Sequence, residues 1–593
     1  MVPTPPLTAN ALGWRGLLLA GLAYLALFGW YSWPLSREWS TAFVGEVHGD
    51  PSVFIWNVWN FRQQVAAGHN PLHTRALLYP EGTGLWLHTY TPVLGLLNVL
   101  VGQEFRALNL GLLLSFVGSG VGAARLAGRW VRQPLLCGLV GFVFAYSPYK
   151  LARWPAHDNL LLTATVPFYL MAYLDAFAFA PGRWWPRLRS RWAALGAFGL
   201  LVITLFSDYY VLAGLLYFSA GYAAWWALRL GAINWRGWWP WAGLAALLVV
   251  GHFLSRGLGL LGFDDNAGLY WGGDLAGYLV PPLGNRWLAT PATNAFWHSP
   301  RLLNPGSVEH VLFVGYLLPL LALGLALTAG ARRRAAPPST PALAETRPFW
   351  ALVGLFLALT MPELRWQGHD LLRLPTSLVH YIPFLNNIRC STRHVLLLSL
   401  LLPLAVSLGL DGWLRRGLAA RGWAVAAALL VGVFLEFQVL PYPLVRAADV
   451  PAAYRVAARA PGGVLFPIPF GVQDGYHQLG QMDAADMFYQ TQHHKAQPGG
   501  YLARIPAATF AAFRREPVLR ALLLAQQHPD SLARLPPLAP AQVRAFWARY
   551  RGAVFVVHPP YRGQPVHRLL RRLLPAGYHE QVVAGYVVLQ PAE

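Results

Sequence analysis

The chain has 593 residues, with 55% apolar, 14% aromatic and 12% charged residues, a mean hydropathy of +0.39 and a net charge of +21. So low a charged share excludes disorder and coiled coil, and two cysteines exclude a disulfide scaffold, which leaves a membrane protein. All but two of the basic residues, Lys150 and Lys495, are arginine, so the location of the charge has to be explained.

Apolar stretches long enough to cross a bilayer, about 20 residues or fewer when buried among other helices, recur along the chain. They predict about 11 transmembrane helices, at 11–33, 105–124, 134–149, 159–180, 192–206, 209–228, 239–260, 309–330, 348–361, 394–414 and 422–440. The first has a single Arg15 before it and Trp30, Tyr31 and Trp33 at its far end, which reads as an interfacial belt rather than a cleaved signal. Arginine clusters follow every even-numbered span: Arg125, Arg129 and Arg132, then Arg183 to Arg191, Arg229 and Arg236, Arg332 to Arg334, and Arg415, Arg416 and Arg421. Positive loops stay inside, so the N-terminus is expected in the cytoplasm. Segments 34–104, 261–308 and the tail from 441 are then expected outside, in a bacterial inner membrane, with 331–347 as a cytoplasmic linker.

The tail is a different material. VPAAYRVAARAPGGVLFPIPF predicts a helix, a turn and a short strand, 540–550 another helix, and RGAVFVVHPP and EQVVAGYVVLQ buried strands. The expected division is a 1–440 transmembrane domain and a 441–593 extracytoplasmic α/β domain.

The first outer loop carries Glu46, His48 and Asp50, after which Pro51 opens a helix through about Val65 that is expected to lie along the membrane surface. A second apolar segment at 86–102 is too short to span. The short loop SPYKLARWPAHDN holds Lys150, Arg153, His157 and Asp158, and NNIRCSTRH holds Arg389 and Arg393. His157 is a candidate substrate contact, and Lys150, Arg153, Arg389 and Arg393 are among the few cations that the topology leaves outside between spans. They suit a phosphate or pyrophosphate headgroup, or they snorkel at the interface.

The motifs GDPSVFIWNVWNFR, NPLHTRALLYPEGTGLWLHT, FAYSPYKLARWPAHDNLL, NNIRCSTRHVLLLSLLLPLAVSLGLDG and MFYQTQHHKAQPGGYLAR, with the many spans, give the chain its family likeness. It resembles the GT-C superfamily of membrane glycosyltransferases, which use polyprenyl-phosphate sugars, and within it a poorly characterised bacterial branch. The resemblance implies a polytopic α-helical GT-C-like fold and an outer-loop carboxylate that acts as general base on an acceptor hydroxyl. Asp50 is the first choice for that base and Glu46 the second. A hydroxyl attacks readily only when a base removes its proton, and the leaving phosphate needs cations in a low-dielectric site. Asp50 before Pro51 equally suits a helix cap.

Asp208, Tyr209 and Tyr210 form a polar break that suits sugar hydroxyls or a plain turn, and Asp158 suits a cap or a substrate contact. Asp274 is placed on the substrate side by the resemblance. Asp264 and Asp265 are a weak signal for Mg²⁺ or Mn²⁺, so no metal or cofactor is expected. His493, His494 and Lys495 lack a partner at zinc-ligand spacing and read as a surface loop. Walker A, dinucleotide and nucleophile-elbow motifs are absent, and the basic tail has no nucleic-acid-binding motif.

The sequence thus favours an inverting glycosyltransferase, a hexosyl- or pentosyltransferase, that takes sugar from a polyprenyl-phosphate lipid at the outer face. The alternatives are a non-enzymatic lipid or glycan transporter and an accessory protein that keeps a GT-C-like shell. A transporter would put its ionisable groups at mid-membrane depth.

Overall fold

The computed structural model describes residues 12–592 apart from 181–185, 231–236, 238, 240–241, 244, 247–248, 251–271, 303–304, 334–340, 382–387, 418–420 and 533–536. In chain order the helices that matter are α1 (Trp14–Tyr31), α2 (Asp50–Ala66), α3 (Pro92–Val101), α4 (Glu104–Ala127), α5 (Pro134–Ala145) and α6 (Pro148–Arg153). Then follow α7 (Thr165–Ala176), α8 (Arg191–Leu205), α9 (Tyr209–Arg229), α10 (Leu317–Arg333), α11 (Pro341–Thr360), α12 (Val395–Gly417), α13 (Gly422–Glu436), α14 (Ala452–Arg459) and α15 (Ala485–His493).

Among the described residues, four helical stretches are long and apolar enough to cross a membrane: Glu104–Ala127, Pro134–Arg153, Tyr209–Arg229 and Ser391–Arg415. The other expected spans coincide with shorter helices, except 239–260, most of which lies outside the described residues.

The chain forms two compact units, and their boundary differs from a single cut at 440. The first comprises 1–33, 112–154 and 160–441. In it α7 packs on α8, α11 on α12, and α5 on α12 and α13. Arg129 forks onto both oxygens of Asp175 at 2.9 and 2.7 Å, tying the end of α4 to the end of α7. Asp411 on α12 accepts from the backbone N–H groups of Arg132 and Gln133 and pairs with Arg415. Two of the arginine clusters are therefore engaged by carboxylates at helix ends.

The second unit comprises 34–111, 155–159 and 442–593. Its main sheet is built from β3 (Leu465–Ile468), β4 (Val554–Val557), β5 (Tyr578–Val583) and β6 (Tyr586–Pro591), in the order β5-β6-β4-β3. β3 and β4 are parallel, while the other neighbours are antiparallel. The helix, turn and strand expected from 451 are present. β5, however, is largely exposed: EQVVAGYVVLQ folds as part of a hairpin whose second strand alone is buried. β1 (Ala42–Val44) pairs antiparallel with β2 (Leu444–Arg446), joining the first outer segment to the tail.

The surface placement expected for α2 is overturned. Residues Pro51 to Phe61 are buried without interruption, so α2 has no solvent or lipid face over that length. Val53, Trp56, Trp59, Leu77 and Tyr90 share one hydrophobic core with Phe466, Phe470, Met487, Leu522 and Phe555 of the tail. Each large apolar side chain contributes roughly 1.5–3 kcal/mol by leaving water, so the loop is a structural part of this unit. The MFYQTQHHKAQPGG motif supplies the polar links. Gln490, fully buried on α15, accepts from the Trp56 indole at 2.5 Å and donates to the carbonyls of Ala76 and Lys495.

His493 and Lys495 are likewise buried, correcting the expected surface loop. The His493 ring stacks on Tyr454, and the Lys495 ammonium donates to the Ala460 and Gly462 carbonyls.

Candidate functional site

In the first unit the geometry converges on Glu309. Ser147 caps α6 by accepting from the Lys150 N–H, and α6 ends on Arg153. Glu309 sits in a 3-10 turn capped by Ser307, and Arg393 in the turn Ser391–His394 that leads into α12. Arg153 Nη2 reaches Glu309 Oε2 at 3.2 Å. Arg393 Nε lies 3.2 and 3.1 Å from the two carboxylate oxygens, and its Nη2 donates to Oε1. One cation from each of the two sequence-predicted pairs thus shares a single carboxylate.

All three side chains are buried, and each guanidinium lies over a ring: Arg153 over Tyr149 at 3.9 Å and Arg393 over Tyr210 at 4.4 Å. The Nε and Nη1 atoms of Arg153 are buried without a hydrogen-bond partner among the described residues. Two guanidiniums facing one carboxylate leave an excess positive charge in a low-dielectric site, and unspent donors there favour an anion.

Arg389 is half-buried, and its charge acts on Tyr210 and Cys390. Lys150 goes elsewhere. Its ammonium donates to Thr163 Oγ1 at 2.9 Å and Ser119 Oγ at 3.4 Å and lies over the Phe116 ring. Consecutive turns of α6 therefore send the two residues of the predicted pair to different neighbours.

Asp208 caps α9, accepting from the Val211 N–H at 2.9 Å, and Tyr209 is the more exposed of the two following tyrosines. Asp274 is buried and accepts from the N–H groups of Ala276 at 2.9 Å and Gly368 at 2.7 Å. It pins the hairpin turn between Glu363–Trp366 and His369–Arg373, which is a structural task. A small cleft of about 110 Å³ opens beside it, lined in part by Arg301, His310 and Arg365.

The second unit carries the carboxylates. Gly45, with φ +130°, lets the chain turn into the Glu46–Asp50 segment, and a Cβ there would come within 2.2 Å of the Pro51 ring. Gly49 is the N-cap of α2, and Asp50 stands inside the first turn, where a negative charge suits the helix dipole. Asp50 is about one-third exposed, and His157 Nε2 lies 3.8 Å from its Oδ2. Asp158 is fully buried and both its oxygens lack a hydrogen-bond partner among the described residues. Burial first, and then the charge of Asp50, hold its carboxyl well above the usual range. Glu46 is exposed, and His48 Nδ1 bonds Asp483 Oδ2 at 2.7 Å.

Among the described residues no group of three or more His, Cys, Asp or Glu side chains is placed to hold a metal ion. Asp264 and Asp265 lie outside the described residues. Sequence reasoning missed Glu309, which sits in no motif; only the surplus of nearby buried arginine pointed to a counter-ion.

Residues 17–438 match the family model described as a domain of unknown function, DUF6311. The chain belongs to this family. No curated protein matches the sequence. Among solved structures, the mycobacterial arabinofuranosyltransferase AftD (mutant R1389S) aligns over 99% of this chain at 15% identity, with a TM-score of 0.51. This chain spans 42% of AftD's length, well under half. The oligosaccharyltransferase AglB of Archaeoglobus fulgidus, in complex with an inhibitory peptide and a dolichol-phosphate, aligns over 92% of this chain and 69% of its own, at 10% identity and a TM-score of 0.39. Its apo form gives 11% identity over the same shares with the same TM-score. The likeness to AftD shows the fold, which is GT-C-like.

Proposed function

We propose that this DUF6311 protein is an inverting membrane glycosyltransferase that moves a hexose or pentose from a polyprenyl-phosphate donor to an acceptor hydroxyl at the outer face of a bacterial inner membrane. The observation that carries this reading is the buried pair of guanidiniums on Glu309, with unspent N–H donors on Arg153. Such a site suits a phosphate that gains charge as the sugar leaves it. On this reading Arg153 and Arg393 hold the donor phosphate, with Arg389 beside them.

Asp50 is the proposed base, taking the proton of the acceptor hydroxyl as its oxygen attacks the anomeric carbon. The C–O bond to phosphate then breaks and the configuration inverts. His157, 3.8 Å from Asp50, accepts that proton onward. Burial and the charge of Asp50 both favour the neutral form of the Asp158 carboxyl, which limits repulsion beside the base. The fold likeness to AftD supports the reading as an analogy of architecture.

A second reading, lipid or glycan transport without chemistry, draws on the burial of Lys150, Arg153 and Arg393 on helices long enough to span. Arg153 and Arg393 stand at the ends of those helices, which suits a headgroup at the membrane boundary better than a path through its middle.

The test is to supply the purified protein with polyprenyl-phosphate pentoses and hexoses and follow loss of the lipid-linked sugar. The expected result is turnover with at least one donor, abolished by Asp50→Asn. Turnover that survives both Asp50→Asn and Glu46→Gln would sink the proposed base. Headgroup translocation in liposomes without turnover on any donor would establish the transporter instead.

A further inference from the structure

The tail contains a second polar centre that the proposed transfer does not use. Tyr454 of α14, Asp486 of α15 and His558, the residue directly after β4, meet in the second unit. The Tyr454 hydroxyl donates to Asp486 Oδ1 at 2.7 Å and lies 2.7 Å from His558 Nε2. Because its one proton is committed to Asp486, the imidazole Nε2–H must be the donor in the second bond. Asp486 Oδ1 is also 3.4 Å from that nitrogen. Burial pulls His558 down, but the charge and hydrogen bond of Asp486 outweigh it and leave the imidazole above its usual range.

A buried carboxylate and phenol therefore fix the ring, the tautomer and the direction of His558. Its Nδ1 has no partner among the described residues, and 12% of the side chain reaches the surface. The half-buried Tyr586 ring stands edge-on to the imidazole at 5.1 Å. Asp483, one-quarter exposed and bonded to His48, acts electrostatically on both His558 and Tyr586.

The position in the fold adds a second argument. β3 and β4 run parallel, and His558 lies at their carboxyl end, the edge where parallel sheets bind ligands. A ring held this completely through Nε2, with no bond to Nδ1 among the described residues, is an arrangement suited to binding or proton exchange rather than to packing alone.

We propose that the tail holds a carbohydrate site formed by His558 Nδ1, the Asp483 carboxylate and the Tyr586 ring, which takes an uncharged sugar. A sugar hydroxyl donates and accepts at once, so it needs an acceptor such as Asp483 beside an imidazole nitrogen. The C–H face of a pyranose or furanose packs on an aromatic ring, which Tyr586 supplies. Charge decides against a phosphate: the Asp483 and Asp486 carboxylates both act on the one imidazole, and a dianion there would be repelled.

The inference goes beyond the transfer reaction, and its test measures binding without turnover. The full chain in nanodiscs is passed over immobilised neutral oligosaccharides of arabinose, mannose, galactose and glucose. Saturable binding to at least one series is expected, weakened tenfold or more by Tyr586→Ala and by His558→Gln. Asp483→Asn should weaken it severalfold. Tyr586 and Asp483 are near the surface, so these two variants should keep the wild-type melting temperature and remain informative if His558→Gln misfolds. Absence of saturable binding to every series, or binding that Tyr586→Ala and Asp483→Asn both leave unchanged, would overturn the proposal.

Discussion

Acidification should unfold the second unit through two neutral histidines. His88 accepts the Ala503 N–H on Nδ1 at 3.1 Å, and its Nε2 is bonded to Asn57 Oδ1 at 3.0 Å. Asn57 is itself oriented by donating to the Thr89 carbonyl. A proton added at Nδ1 would face the Ala503 N–H, donor against donor. His493 likewise accepts the Lys495 N–H on Nδ1 at 3.1 Å. Burial pushes each imidazole down to about 3, with the charges of Lys495 and His494 adding to the effect at His493.

Both folded values lie below the unfolded value of about 6.5, so the stability they support is complete above that pH and is lost as pH falls toward 3. Each histidine then costs about 2 kcal/mol at pH 5, rising toward about 5 kcal/mol below pH 3. His558 and Asp486, both shifted upward, return part of this on acidification. That return is common to wild type and variants and cancels in the comparison.

The assay is urea-dependent pulse proteolysis of the tail in nanodiscs at pH 7.5 and 5.0. His88→Gln, which keeps a donor and an acceptor, should remove about 2 kcal/mol of the wild-type acid loss, and His493→Gln a similar amount. An acid loss of the same size in wild type and both variants would refute the reasoning.

Glu309→Gln leaves two buried guanidiniums sharing no charge partner, which should cost about 3–5 kcal/mol and appear as a lower melting temperature in detergent. Gln490→Leu strands the Trp56 indole and the Lys495 carbonyl, each worth about 1–3 kcal/mol when left unsatisfied, while the Ala76 carbonyl keeps the Gln497 N–H; a tail midpoint unchanged in urea would contradict its place as a link between α2 and α15. Gly368→Ala forces a side chain into φ +84° with its Cβ 2.2 Å from the Arg301 carbonyl, so the hairpin beside Asp274 should become protease-sensitive while a surface change such as Leu371→Ser does not.

Sequence by itself located the four described helices long and apolar enough to span, and shorter helices at most of the other apolar runs, because long apolar runs bounded by Arg, Pro and Gly have few other solutions in a membrane. It also marked the tail as α/β and singled out Arg153, Arg393 and Asp50. Tertiary structure decided which of these meet. Lys150 and Arg153 are three residues apart, yet one ammonium enters a pocket of hydroxyls while the guanidinium joins Arg393 on Glu309. Periodicity cannot foresee that, because the partners come from turns more than 80 residues apart.

The reading of α2 failed for a related reason. Its mixture of Trp, Asn, Phe and Arg has the composition of an interfacial helix, and only the apolar face of a tail more than 400 residues later makes burial on every side the better solution. Local pattern fixes what a segment can become. The distant surface that removes it from water decides what it is.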